Sequence, residues 1–158
     1  MKARDIMTSN PEVVTMDEPI SVAARMMREL SIGAVPVVED RSAMHLVGIL
    51  TDRDLAVRHI AEGHTEDCPV RHAMTKRGDG EDFYTVRPED TVEYAMNLMS
   101  EHQVRRTPVV GDGDRRLVGI IALADVAREV GSRDPAEVVK LLEAISEPAT
   151  DRTPVPTG

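Results

Sequence analysis

Aromatic side chains are nearly absent: the 158-residue chain has no tryptophan, and its only rings of this kind are Phe83, Tyr84 and Tyr94. That leaves no row of rings on which single-stranded nucleic acid stacks. Basic charge is also scarce, with 19 Lys and Arg against 28 Asp and Glu and a net charge of −9. A phosphate backbone needs a basic face, so nucleic acid is not an expected partner. Cysteine is reduced to Cys68, which excludes an internal disulfide, and there is no CxxC or HExxH spacing. His59 and His64 are five apart and do not share a helix face, so solvent-facing positions and no metal site are expected. No apolar run is long enough for a signal peptide or a membrane span, which points to a cytoplasmic protein without a membrane partner. Catalytic pairings are missing too: Cys68 stands alone beside Pro69 and no glycine-framed serine occurs, so neither catalytic residues nor an obligatory cofactor are expected.

What the chain does contain, it contains twice. Ile32-Gly33-Ala34-Val35-Pro36-Val37-Val38 returns as Val104-Arg105-Arg106-Thr107-Pro108-Val109-Val110, and Leu46-Val47-Gly48-Ile49-Leu50 returns as Leu117-Val118-Gly119-Ile120-Ile121. The two prolines are 72 residues apart and the two glycines 71. A repeat of that size is a small domain rather than a solenoid turn. Each copy alone would have a marginal core, so the two are expected to stabilise each other about a pseudo-twofold axis, with paired clefts between them.

Hydrophobic spacing predicts the same order of elements in both copies. In the first, Val13-Val14 is a short strand, and Asp17-Glu18-Pro19 opens a helix with Ile20, Ala23, Ala24, Met27 and Leu30 on one face and Gly33 as its stop. Strands Val35–Val38 and Leu46–Leu50 follow across the polar turn Glu39–His45, and Thr51 opens a second helix closed by Gly63. The second copy reads as a strand Tyr84–Val86 and a helix from Thr91 with Val92, Ala95, Met96 and Met99 inside. A strand Thr107–Val110, the turn Gly111-Asp112-Gly113-Asp114, a strand Leu117–Ile121 and a helix ending near Gly131 complete it. The expected fold class is therefore α+β, two β-α-β-β-α units. Their limits are residues 1–64 and 83–131, with 65–82 as linker and flexible loop and 70–76 as a lead-in to the second unit. Within that lead-in, Met74-Thr75 echoes Met7-Thr8 at a spacing of 67. An extra helix over 132–146 has Val138, Val139, Leu142 and Ile145 at helical spacing, and 147–158 reads as a disordered tail. The methionines Met26, Met27, Met96 and Met99 read as core filling rather than soft-metal ligands.

Thr51-x-x-Asp54 admits two readings. It is a helix cap, a short-acid variant of the Ser/Thr-x-x-Glu box. It is equally a nucleotide seat, because free N–H groups and a hydroxyl at a helix start favour phosphate, and a carboxylate one turn on accepts from a ribose diol. The acid recurs, since Asp125 matches Asp54 at a spacing of 71.

The doubled strand motif followed by Thr51-Asp52-Arg53-Asp54 resembles the cystathionine-β-synthase (CBS) domain, and the chain from about residue 3 to 130 resembles a tandem CBS pair, or Bateman module. The resemblance implies a main cleft in which Thr51 and Asp54 of one copy meet Arg105, Arg106 and Thr107 of the other, with a base against Ile49, Tyr84 and Val104. It implies a second cleft of Thr8, Val13, Gly33, Ala34, Ile120 and Asp125. The second is the poorer one, because Ala122 stands in place of Thr51 and Gly33-Ala34 in place of the arginine pair. Two arginines offer bidentate phosphate recognition, and the alternative is that they are solvated or paired with carboxylates. The implied function is regulatory binding of AMP, ADP or ATP, with NAD and S-adenosylmethionine ranked after them, by a homodimer acting on a separate protein partner. The competing reading is a ligand-free interaction protein working through dimerisation and partner contact.

Overall fold

The computed structural model describes residues 1–76 and 84–148. The chain order is α1 (Ala3–Ile6), β1 (Thr8–Ser9), β2 (Val14–Thr15), α2 (Ile20–Leu30), β3 (Ala34–Val38), β4 (Leu46–Thr51) and α3 (Asp52–Asp54), which continues as a wider π-helical stretch over Leu55–Ile60. A 3₁₀ turn (Val70–His72), β5 (Thr75–Lys76), α4 (Val92–Glu101), β6 (Arg106–Val110), β7 (Leu117–Ala122), α5 (Leu123–Glu129) and α6 (Pro135–Ser146) follow. No helix among the described residues is long and apolar enough to cross a membrane.

The strands form two sheets, ordered β2-β3-β4-β5 and β1-β7-β6. β1 lies at the start of the first repeat yet pairs antiparallel with β7 of the second, Thr8 opposite Ile120 and Ser9 opposite Gly119. β5 lies ahead of the second repeat and pairs with β4 of the first, Thr75 opposite Ile49 and Lys76 opposite Gly48. The spacing-67 echo is thus a reciprocal exchange of strands. Gly48 and Gly119 are where the exchanged backbones press in: a Cβ at Gly48 would lie 2.7 Å from the Thr75 carbonyl oxygen, and one at Gly119 3.1 Å from that of Thr8. The helical turns beside these strands are exchanged as well. Ala3 N–H donates to the Asp90 carbonyl at 2.8 Å and Val70 N–H to that of Glu18 at 2.9 Å.

Packing follows the exchange. One core unites Ala3 and Ile6 with Val92, Met96, Met99, Ile121, Val126, Leu141 and Ile145; another unites Val14, Ile20, Met27, Val35 and Leu50 with Val70, Ala73 and Met74. A small third cluster, Val13, Val38, Leu46, Val110 and Leu117, draws on both repeats. There the pseudo-twofold shows in the hydrogen bonds: Leu46 N–H donates to the Arg115 carbonyl and Leu117 N–H to that of Met44. Met44 and Arg115 both have a φ of 58°.

Several expectations need correction. α2 turns Ile20, Ala23 and Met27 inward, whereas Ala24 and Leu30 are exposed. Its stop is Ser31 in left-handed backbone, φ 54°, with its N–H on the Met27 carbonyl, and not Gly33. The inner face of α6 is Val138, Leu141 and Ile145; Val139 and Leu142 face solvent, because a 12-residue helix packed on one side only needs a narrower stripe than its apolar content suggests. Tyr84–Val86 is no strand: Val86 makes a single parallel bridge to Val109, where its counterpart β2 makes two residues of parallel pairing with β3. His59 is buried, its ring stacked at 5.8 Å on the exposed His64, because the wider helical turn rotates it inward. The proposed loop Arg77–Asp82, and the tail from residue 149 on, lie outside the described residues.

Candidate functional site

The starts of the inner strands have an open edge. β2 pairs in register only with Val37 and Val38, so Ala34 and Val35 at the start of β3 have no strand partner on that side among the described residues; in the second sheet the Val86 bridge reaches no further back than the Pro108 carbonyl, which accepts from Val86 N–H at 3.1 Å, and leaves Arg106 and Thr107 uncovered. Pro36 and Pro108 suit such an edge, having no N–H to leave unsatisfied.

A cavity of about 790 Å³ opens there, with walls from both repeats. The first contributes Gly33, Ala34, Ile49, Thr51, Asp52, Arg53, Asp54 and, through the exchanged β5, Thr75; the second contributes Tyr84 and residues 103–106 with Pro108. At the helix start the capping geometry is complete. Asp54 N–H donates to Thr51 Oγ1 at 3.1 Å and Thr51 N–H to Asp54 Oδ2 at 2.9 Å. The cap does not exhaust either side chain, because the Thr51 hydroxyl proton remains to be donated and, among the described residues, Asp54 Oδ1 is approached by Arg58 Nε at 3.7 Å, beyond hydrogen-bond distance.

The three arginines are the decisive electrostatic feature. Among the described residues Arg53, Arg105 and Arg106 make no ion pair, although the chain is rich in carboxylates. Arg106 reaches across to the first repeat: a Cβ at Gly33 would lie 3.4 Å from both its Nη atoms and 3.1 Å from Asp52 Oδ2. Gly33 therefore leaves room for the guanidinium that the other repeat sends over.

Ile49, Thr51, Asp54, Tyr84, Val104, Arg105 and Arg106 all line this one cavity. Thr107 is not on its wall; it is fully buried, with a hydroxyl lacking a partner among the described residues. Gly33 and Ala34, assigned to the second cleft, line this one. Of the remaining second-cleft residues, Thr8 and Ile120 pair across β1 and β7, while Val13 is buried in the cluster between the sheets. Asp125 has both oxygens engaged, Oδ2 by Ala122 N–H at 2.8 Å and Oδ1 by Arg128, so it differs from Asp54. Thr75 was missed, though its echo of Thr8 marks it. Arg53 and Gln103 were missed as well, and Ile145 to Pro148, which also line the cavity, had no local signal.

Comparison with known proteins places this geometry. The profile of the CBS domain matches residues 3–58 and 70–132. Hypoxic response protein 1 of Mycobacterium tuberculosis is 35% identical over 146 residues, 92% of this chain and 94% of that protein. A crystal structure of Hypoxic Response Protein I with two coordinated zinc ions superposes with a TM-score of 0.71 at 36% identity, covering 82% of this chain and 98% of that one. CBSX2 in complex with AMP gives 0.70 at 28%, over 83% and 96%. The CBS domain pair of protein MJ0100, in complex with 5-methylthioadenosine and S-adenosyl-L-methionine, gives 0.69 at 27%, over 85% and 98%. With both of its repeats matched, exchanged strands and all, the chain belongs to the CBS domain family as a tandem pair.

Proposed function

We propose that this chain is a stand-alone regulatory module that binds an adenine nucleotide, or a related adenosyl ligand, in the cleft of Thr51, Asp54 and Arg106. One observation carries the reading: three arginines with no ion pair among the described residues converge on a 790 Å³ cavity at a hydroxyl-bearing helix start. Unpaired guanidinium groups and a helix N-terminus together make an anion site. Asp54, with an oxygen to spare, would accept from the ribose hydroxyls, and Ile49, Tyr84 and Val104 would hold the base. The similarity to CBSX2 with AMP and to the MJ0100 pair with adenosyl ligands supports this ligand class. AMP, ADP and ATP are the leading candidates, NAD and S-adenosylmethionine the next, and the module works as a cytoplasmic homodimer on a separate protein.

A thermal-shift panel of these five compounds tests the proposal. A ligand present at about a hundred times its dissociation constant adds roughly 2.7 kcal/mol to stability, so at least one should raise the melting temperature by several degrees. Arg106→Ala should diminish that response for the nucleotides and not for adenosine. Flat melting curves with all five would leave the interaction-protein reading in its place.

A further inference from the structure

The cleft has one wall that neither repeat supplies. α6 packs along α4 and α5 through Leu141 and Ile145, and its last turn brings Ile145, Ser146 and Glu147, followed by Pro148, to the cavity. A helix end carries carbonyls with no intrahelical partner. Here Gln103 takes two of them, its Nε2 donating to the carbonyls of Ala144 at 3.2 Å and Glu147 at 3.0 Å. Gln103 also lines the cavity and immediately precedes Val104, Arg105 and Arg106. Its counterpart 72 residues earlier, Ser31, shares the left-handed backbone (φ 54° against 52°) but has neither the reach nor a helix to hold. The second repeat alone joins its cleft-lining loop to an additional helix.

Resting on the nucleotide reading above, we propose that α6 is the output element of the module, with Gln103 as the positioning residue that couples it to the cleft. A ligand seated against residues 103–106 and the end of α6 touches both sides of that hydrogen-bonded joint. It therefore binds the docked form of α6 better than the undocked one, and it shifts docking by that difference in affinity and no more. Occupancy of the cleft becomes order in the C-terminal helix, which offers Val139 and Leu142 to solvent on its outer face.

Hydrogen exchange of the full chain, read over residues 135–148 with and without saturating AMP, tests this. Calorimetry on the same sample establishes binding independently. AMP should slow exchange there by roughly tenfold, a typical size for coupling between sites. Gln103→Asn suits left-handed backbone and leaves the fold intact, but its amide is one methylene short of the carbonyls. It should weaken AMP binding by no more than that roughly tenfold coupling, leave binding measurable by calorimetry, and lose the slowing. AMP binding without slower exchange at 135–148 overturns the coupling and leaves the nucleotide reading standing. Slowing that persists in Gln103→Asn overturns the role of Gln103. Failure of AMP, ATP and S-adenosylmethionine all to bind overturns the nucleotide reading, and this inference with it.

Discussion

Asp54 and Asp125 occupy equivalent positions and close equivalent turns, yet their carboxylates are held differently. Each gives one oxygen to the backbone N–H three residues back. The second oxygen of Asp125 is taken by Arg128, while that of Asp54 stands 3.7 Å from Arg58 Nε. Charge-assisted hydrogen bonds are worth about 1.5–3 kcal/mol, so Asp54→Ala should lower nucleotide affinity on the order of tenfold to a hundredfold. Asp125→Ala should cost much less affinity. Calorimetry on the two variants decides it: equal losses would show two equivalent sites, and a larger loss at Asp125 would place the ligand in the other cleft. The asymmetry was half legible in the amino acids, because Ala122 for Thr51 can be read directly. The Arg128 clamp could not, since an acid and an arginine three apart on a helix face each other without announcing that they pair.

The exchanged strands explain the glycine in each Leu-Val-Gly-Ile motif. Any side chain at Gly48 meets the backbone of Thr75, which cannot step aside without unpairing β5 from β4. Gly48→Ala should destabilise the protein by about 1–3 kcal/mol, the usual cost of overpacking, seen as a lower urea midpoint at unchanged slope. A variant as stable as the parent would show that β5 is not held against β4. The lead into α2 carries a second, pH-dependent contribution. Partial burial raises the Glu18 carboxyl, but the Thr15 N–H at 2.7 Å and the Arg41 guanidinium at 2.9 Å outweigh it and hold it below its ordinary value of 4.5. A depressed carboxyl stabilises the fold above its unfolded value and loses that contribution as pH falls through the folded one. Glu18→Gln should thus be less stable at neutral pH and converge on the parent in acid, in urea titrations at stepped pH. A constant gap at all pH values would rule this out.

Mutual dependence of the repeats is built into the chain path. The first repeat takes Val70, Ala73 and Met74 into its core from beyond its own end, and sends Ala3 and Ile6 into the core of the second. A fragment of residues 1–64 would lack the former and expose the latter, and should show no cooperative transition by circular dichroism. A sigmoidal melt for that fragment would mean that each repeat folds by itself. The doubled motifs made two α+β units and a shared cleft legible, because strand register and the 3.6-residue period are local consequences of side-chain alternation. The inward set of α4, Val92, Ala95, Met96 and Met99, is the set its spacing predicts. α2 and α6 departed from theirs because exposure of Leu30, Val139 and Leu142 depends on which neighbours cover a face.

Local chemistry written in the residues thus set the repeats, the turns, the capped helix start at Thr51 and the arginine pair. Tertiary structure alone decided that β1 and β5 change places, that Gly33 and Ala34 share a cavity with Arg106, and that the end of α6 closes it. Each of these is a contact between segments far apart in the chain. Periodicity reports which face of an element is apolar, but which element covers that face depends on where the rest of the chain packs.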